Sequence, residues 1–280
     1  MPESAVKRSA VAAPKIRTVI AVALLTVFVV AALFGPYVSP YDPLAPAPLE
    51  ALKAPSLAHV FGTDAYGRDI LSRVLVATRL DLIIAAAAVL IALTLGTALG
   101  AFAGWAGGWP DRIIGRVIDT IMAFPLFVLA VGVAAGLGNS ISSVIVATAL
   151  VNLPFYARQA RSDVSRQRRA AYVEAAALAG FSPILIVLLQ ILPNIAPPLM
   201  VQSSLNLGWA ILNAAGLSFI GLGVRAPQAE WGIMVSDGAA NIFSGEWWMF
   251  AFPGAALMIA ILTFSLCGDA LRDLLDPKRR

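Results

Sequence analysis

The chain has one cysteine and one histidine in 280 residues. Cys267 has no partner for a disulfide within the chain, and with His59 as the lone imidazole a His/Cys metal site is disfavoured. Lysine is also sparse: Lys7, Lys15, Lys53 and Lys278, none of them following a glycine. That excludes a phosphate-binding loop of the form G-x-x-x-x-G-K-[ST]. Charge of either sign makes up only 13% of the residues, against about 25% in soluble domains. A soluble globular domain is therefore excluded. Acids inside the apolar runs reduce to Asp119, near the end of one run, which is thin support for a self-contained proton or sodium carrier. No histidine lies beside an intramembrane serine, which disfavours a membrane protease.

What is abundant is apolar surface. Hydrophobic residues make up 59% of the chain, and the mean hydropathy is +0.83. Runs of this length suit transmembrane helices rather than barrel strands. Six spans are expected, at about residues 18–35, 82–104, 117–137, 141–157, 196–217 and 249–268. The organisation expected from them is a tail (1–17), a first helix (18–35), a long loop (36–81), a five-helix core (82–269) containing a polar loop at 158–195, and a second tail (270–280). The first run is longer than a signal-peptide core, and residues 35–37 do not form a small-x-small cleavage site, so it is read as a retained helix.

The net charge of +4 is unevenly spread. The two tails and the loops at 105–116 and 158–195 hold fifteen Lys and Arg, whereas the other loops hold five: Lys53, Arg68, Arg73, Arg79 and Arg225. The positive-inside rule then places both termini in the cytoplasm. The outer loop opens with Pro36, Pro40, Pro43, Pro46, Pro48 and Pro55, which favour extended chain. Its second half has an ordered look, with Thr63 or Asp64 as the expected cap of a helix running into Arg73. Trp231, Trp247 and Trp248 suit an interfacial belt.

Three patterns stand out within this frame. Gly96, Gly100 and Gly104 recur every fourth residue, as expected where another helix backbone comes close. Gln202, Asn206 and Asn213 share one face of the fifth span and either line a polar passage or hydrogen-bond to a neighbouring helix. The stretch Glu174-Ala175-Ala176, Gly180, Leu192-Pro193 follows a basic run (Arg158, Arg161, Arg166, Arg168, Arg169) and carries apolar residues Tyr172, Val173, Ala176, Leu178 and Ala179 outside the membrane. A short helix of this kind, with small alanines and one carboxylate, suits a partner's groove.

This stretch resembles the E-A-A, three residues, G, nine residues, I-x-L-P signature in the cytoplasmic loop of ABC importer permeases, with Gln190 standing at the isoleucine position. Residues 62–73, 217–223, 229–232 and 268–277 resemble the C-type permeases of the dipeptide/oligopeptide/nickel family. The resemblance implies an all-α integral membrane fold, the six-helix half of a type I importer, in a bacterial cytoplasmic (inner) membrane. It implies a homologous second permease, two ATPase subunits or domains, and an extracytoplasmic substrate-binding protein as partners. It implies no cofactor on this chain, with ATP and Mg on the ATPase partners. Glu174, Ala175, Ala176, Gly180, Leu192 and Pro193 would form the coupling helix and its return, and Gln202, Asn206 and Asn213 part of the pathway. Gly62, Thr63, Asp64, Gly67, Arg68 and Asp69 would contact the binding protein or shape the outer mouth. The implied cargo is a peptide or related small solute, with nickel chelates, opines or glutathione as alternatives. A self-contained secondary carrier is the reading from another class.

Overall fold

The computed structural model describes residues 3–275, with side chains described from residue 16. Lys278, Arg279 and Arg280 of the charge count lie outside the described residues, as do the side chains of Lys7, Arg8 and Lys15. The described chain is helical: α1 (Glu3–Val38), α2 (Ile70–Ala106), α3 (Gly108–Ala123), α4 (Leu126–Leu137), α5 (Ile141–Gln167), α6 (Ala171–Leu178), α7 (Pro183–Ile186), α8 (Leu192–Phe219), α9 (Trp231–Ala240) and α10 (Trp248–Leu275). By length and composition, five helices can cross a membrane, and α3 with α4 forms a sixth candidate.

That sixth span is not the single straight helix expected over 117–137. It bends by 94° between Ala123 and Leu126. Pro125 explains the break: it has no N–H, and it pushes Phe124 into extended backbone (φ −83°, ψ 146°).

The other helices outrun their apolar windows. α2 begins at Ile70 rather than near residue 82, because Asp69 caps it: the Ser72 backbone N–H donates to Asp69 Oδ2 at 2.8 Å. The expected caps, Thr63 and Asp64, are used elsewhere, as described below. Arg73, inside the loop expected at 36–81, lies buried on α2, and its Nη1 donates to the Pro43 carbonyl at 2.8 Å. Likewise α5 runs to Gln167, so the first ten residues of the loop expected at 158–195 are helix.

The tightest packing is between α2 and α5, and the glycine ladder makes it possible. A Cβ on Gly96 would lie 2.7 Å from the Leu153 carbonyl oxygen, one on Gly104 2.5 Å from that of Arg161, and one on Gly100 closer still to that of Ala157. Three glycines at i, i+4, i+8 on α2 thus face three carbonyls of the same spacing on α5. Tyr156, Ile191, Ile195, Ile211 and Trp231 fill the main core beside this crossing. α1 closes the far side of the bundle, with Phe28 edge-on to Trp231 at 6.1 Å.

The tryptophans depart from the belt expectation. Trp231 is fully buried and Trp248 nearly so, while Trp247 is exposed. The buried indoles find backbone acceptors: Trp231 Nε1 donates to the Val74 carbonyl (3.2 Å) and Trp248 Nε1 to that of Thr63 (3.1 Å).

Candidate functional site

Between α5 and α8 the chain makes a short excursion built around α6. The helix stops at Gly180, and the stop is a Schellman motif. Phe181 N–H donates to the Ala176 carbonyl (3.1 Å) and Gly180 N–H to that of Ala177 (3.0 Å), with Gly180 left-handed at φ +86°. Only Val173 of α6 is buried, and Ala176 packs partly against the core. These two anchor the helix. Glu174 is exposed and makes no ion pair among the described residues, and Leu178 is 90% exposed. Val173 therefore leaves the set of outward apolar residues expected from the sequence and becomes the root of the helix.

The return into the bundle passes α7 and a π-turn, Val187–Ile191, before α8. Pro193 follows directly. It cannot donate to the carbonyl four residues back, and its ring would crowd that carbonyl in a tight α-turn, so the wider turn relieves the clash. Leu192 is half-buried and Pro193 exposed.

On α8, Gln202 Nε2 donates to Asn206 Oδ1 at 2.9 Å, so those two act as a pair. Asn206 is buried, whereas Gln202 opens on a cleft of about 320 Å³ with Gln159 and Arg272. Asn213 is not joined to them: its Nδ2 donates to the Trp209 carbonyl of its own helix (2.9 Å). Across helices, Asn206 interacts with Tyr156 of α5, and two serines form hydrogen bonds. Ser203 accepts from the Tyr156 hydroxyl (3.2 Å), and Ser204 donates to the Phe264 carbonyl (2.8 Å).

At the opposite end, residues 62–69 form a closed loop rather than a presented surface. Thr63 pairs with Asp69 in a β-bridge, and Lys53 N–H donates to Thr63 Oγ1 at 2.8 Å. Asp64 accepts from the Tyr66 and Arg68 backbone N–H groups (2.8 and 2.9 Å) and from Arg68 Nε (2.6 Å). Asp69 holds His59 Nδ1 at 2.9 Å besides capping α2. A Cβ at Gly62 would strike the Lys53 carbonyl and the Trp248 ring, and one at Gly67 the Ala47 carbonyl. Thr63, Asp64, Arg68 and Asp69 are all buried, so the loop offers outward Ala65 and Tyr66, the latter 61% exposed.

Two findings concern the acids. Asp119 is not isolated: Arg158 Nη2 donates to its Oδ1 at 3.0 Å on the surface. The acid that the sequence does not single out is Asp81, at the end of the loop expected at 36–81. It is buried on α2 against Glu230, itself fully buried. Glu230 caps α9, accepting from the Gly232 and Ile233 N–H groups at 2.9 Å each, while Asp81 Oδ2 accepts from Trp231 N–H at 3.1 Å. Burial holds the Glu230 carboxyl above the ordinary range, although its two backbone bonds pull the other way. The two acids staple α2 to α9, 150 residues apart in sequence.

The model of the family described as "Binding-protein-dependent transport system inner membrane component" matches residues 96–280. The chain belongs to this family. Among curated relatives of this permease family, the probable D,D-dipeptide transport system permease protein DdpC of Escherichia coli is 43% identical, covering 93% of this chain and 87% of the relative. The dipeptide transport system permease protein DppC of Alkalihalophilus pseudofirmus is 40% identical, over 94% and 86%. The nickel transport system permease protein NikC of Escherichia coli is also 40% identical, over 92% and 93%. In fold, the chain is similar to a chain of the MetNI methionine ABC transporter in an inward-facing form (TM-score 0.58, 16% identity, 70% of this chain and 93% of that one). The permease is thus a multi-pass component of an inner-membrane transport system, an ABC importer permease whose α6 excursion lies inside the matched region.

Proposed function

We propose that this permease forms one half of the translocation pathway of an ATP-driven importer of peptides or a related small solute, and that α6 is where ATPase motion enters it. The observation that carries the reading is α6 itself: a capped helix rooted by Val173, with Glu174 and Leu178 turned away from the bundle. A rooted helix transmits a push on its outer face to α5 and α8. Glu174, Ala175, Ala176 and Gly180 form the inserted element, and Leu192-Pro193 forms the start of the lever on α8.

The partners in this reading are a homologous second permease, two ATPase subunits or domains that carry ATP and Mg, and an extracytoplasmic binding protein. Both termini and α6 then face the cytoplasm, in keeping with the arginines on α5. The closed loop of Gly62, Thr63, Asp64, Gly67, Arg68 and Asp69 shapes the outer mouth and holds Tyr66 toward the binding protein. Gln202, beside a cleft and braced by Asn206, is the better-placed pathway residue, and Asn213 lies farther along the same helix. The names of the relatives, two for dipeptides and one for nickel, support a small solute delivered by a binding protein.

The test is reconstitution of the permease with its partner subunits in proteoliposomes. Glu174→Arg is expected to reduce binding-protein-stimulated ATPase about tenfold or more, with normal insertion and assembly. Unchanged stimulation would remove α6 from the coupling route.

A further inference from the structure

A cleft of about 860 Å³ lies beside the last turn of α2, between the Gly107-Gly108 turn and the end of α5. Five arginines line it, and acids answer three of them. Arg161 pairs with Asp111 (2.5 Å), Arg158 with Asp119 (3.0 Å) and Arg166 with Asp163 (2.8 Å). Arg168 and Arg169 have no carboxylate within ion-pair distance among the described residues, and both are exposed. The cleft therefore carries uncompensated positive charge.

A second depression, of about 770 Å³, runs along the neighbouring face of α2 and is walled by α7, the π-turn and α8. Its lining is almost wholly apolar, from Leu93 to Trp105 on α2 and with Ile184, Leu188 and Met200 opposite. Along a helix that stretch measures about 18 Å, close to the ~15 Å of one leaflet of a bilayer's hydrocarbon core. The two depressions meet at one side chain. Trp105 ends the apolar groove, and the Arg168 guanidinium lies over its ring at 5.7 Å.

We propose that the end of α2 is a binding site for an anionic phospholipid. The phosphate headgroup lies in the arginine cleft against Arg168 and Arg169, and one acyl chain lies in the groove that starts at Trp105. Charge complementarity selects an anion, and the joined leaflet-length groove selects a lipid over an acidic protein surface or a free anion. Basic pockets between helix ends are suited to such headgroups. The site does not depend on the transport reading, because it requires only that α2 and α8 span a bilayer.

The experiment uses the assembled transporter in nanodiscs of phosphatidylcholine with phosphatidylglycerol, followed by native mass spectrometry of lipid retained after mild detergent transfer. Wild type is expected to retain phosphatidylglycerol selectively. Arg168→Ala with Arg169→Ala is expected to weaken retention about 30-fold, at about 1 kcal/mol per basic residue. Ala98→Trp, at an exposed position in the groove, is expected to weaken retention of the two-chain lipid with both arginines intact. Equal retention by wild type and the double variant would overturn the site. So would loss of retention in the double variant but not in Ala98→Trp, which would mark unspecific attraction to any anion, inorganic phosphate included. Dissociation of a protein subunit from the double variant would reassign the cleft to a protein interface and equally overturn it. Because retention is read without ATP or substrate, its failure and a failure of coupling through α6 are separate results.

Discussion

Gly180 shows how one residue sets the shape of a docking element. No atom lies within 4 Å of a Cβ built there, so packing does not demand glycine; the φ of +86° does. An L-residue in that region costs about 1–2 kcal/mol, and asparagine less. Binding-protein-stimulated ATPase is therefore expected to rank glycine above Asn above Leu at position 180, and equal activities would show that the α6 cap is dispensable. Glu230 makes a different kind of prediction. Its carboxyl is raised by burial, so the folded state holds a proton that the unfolded chain releases. The stabilising contribution is then present at low pH and declines as pH rises through the folded-state value. The melting temperature of the detergent-purified protein is expected to fall with rising pH, and Glu230→Gln to flatten that trend. A slope unchanged by the substitution would place the titration elsewhere. Gly180 is legible in the sequence as the stop of the short helix, because a left-handed helix end is a local property. Asp81 is not, because its burial depends on α9, which packs there only in the folded chain.

At the level of elements, the α2–α5 contact is the joint on which the bundle depends. Adding a leucine side chain at Gly100 drives it into the Ala157 backbone, which has no flexible end to yield. Gly100→Leu is expected to cost about 3 kcal/mol or more and to lower the yield of monodisperse protein on size exclusion. Gly254→Ala, on α10 with nothing within 4 Å of the added Cβ, is the control and is expected to be neutral or slightly stabilising. The ladder was readable in the sequence as a close-approach surface, but its partner was not, since small residues on one helix do not say which helix meets them. Element ends were read short for a related reason. Hydropathy marks where lipid contact stops, whereas capping by Asp69 marks where α2 begins, and α5 continues to Gln167 past its apolar stretch.

At the scale of the whole molecule, the charged residues gather in two groups, one near α6 and one at the loop of residues 62–69. The arginines of α5 gather near α6, and the closed loop of residues 62–69 with Trp247 occupies the other end. If the transporter draws its energy from partner ATPases, the permease alone in liposomes is expected to move no solute along a proton or sodium gradient. Measurable gradient-driven uptake by the isolated chain would return the secondary-carrier reading. The sequence by itself determined that the chain lives in a membrane, spans it several times and exposes a short polar helix between two spans, because hydropathy, charge bias and motif spacing are local or additive properties. Only the tertiary structure decided that the apolar run at 117–137 breaks by 94° between α3 and α4 and that Trp231 lies inside. It alone placed the outer-loop acids Asp64 and Asp69 as internal struts and brought Asp81 to Glu230. Those outcomes depend on which surfaces meet, and each buried polar group takes its partner from whatever element packs against it.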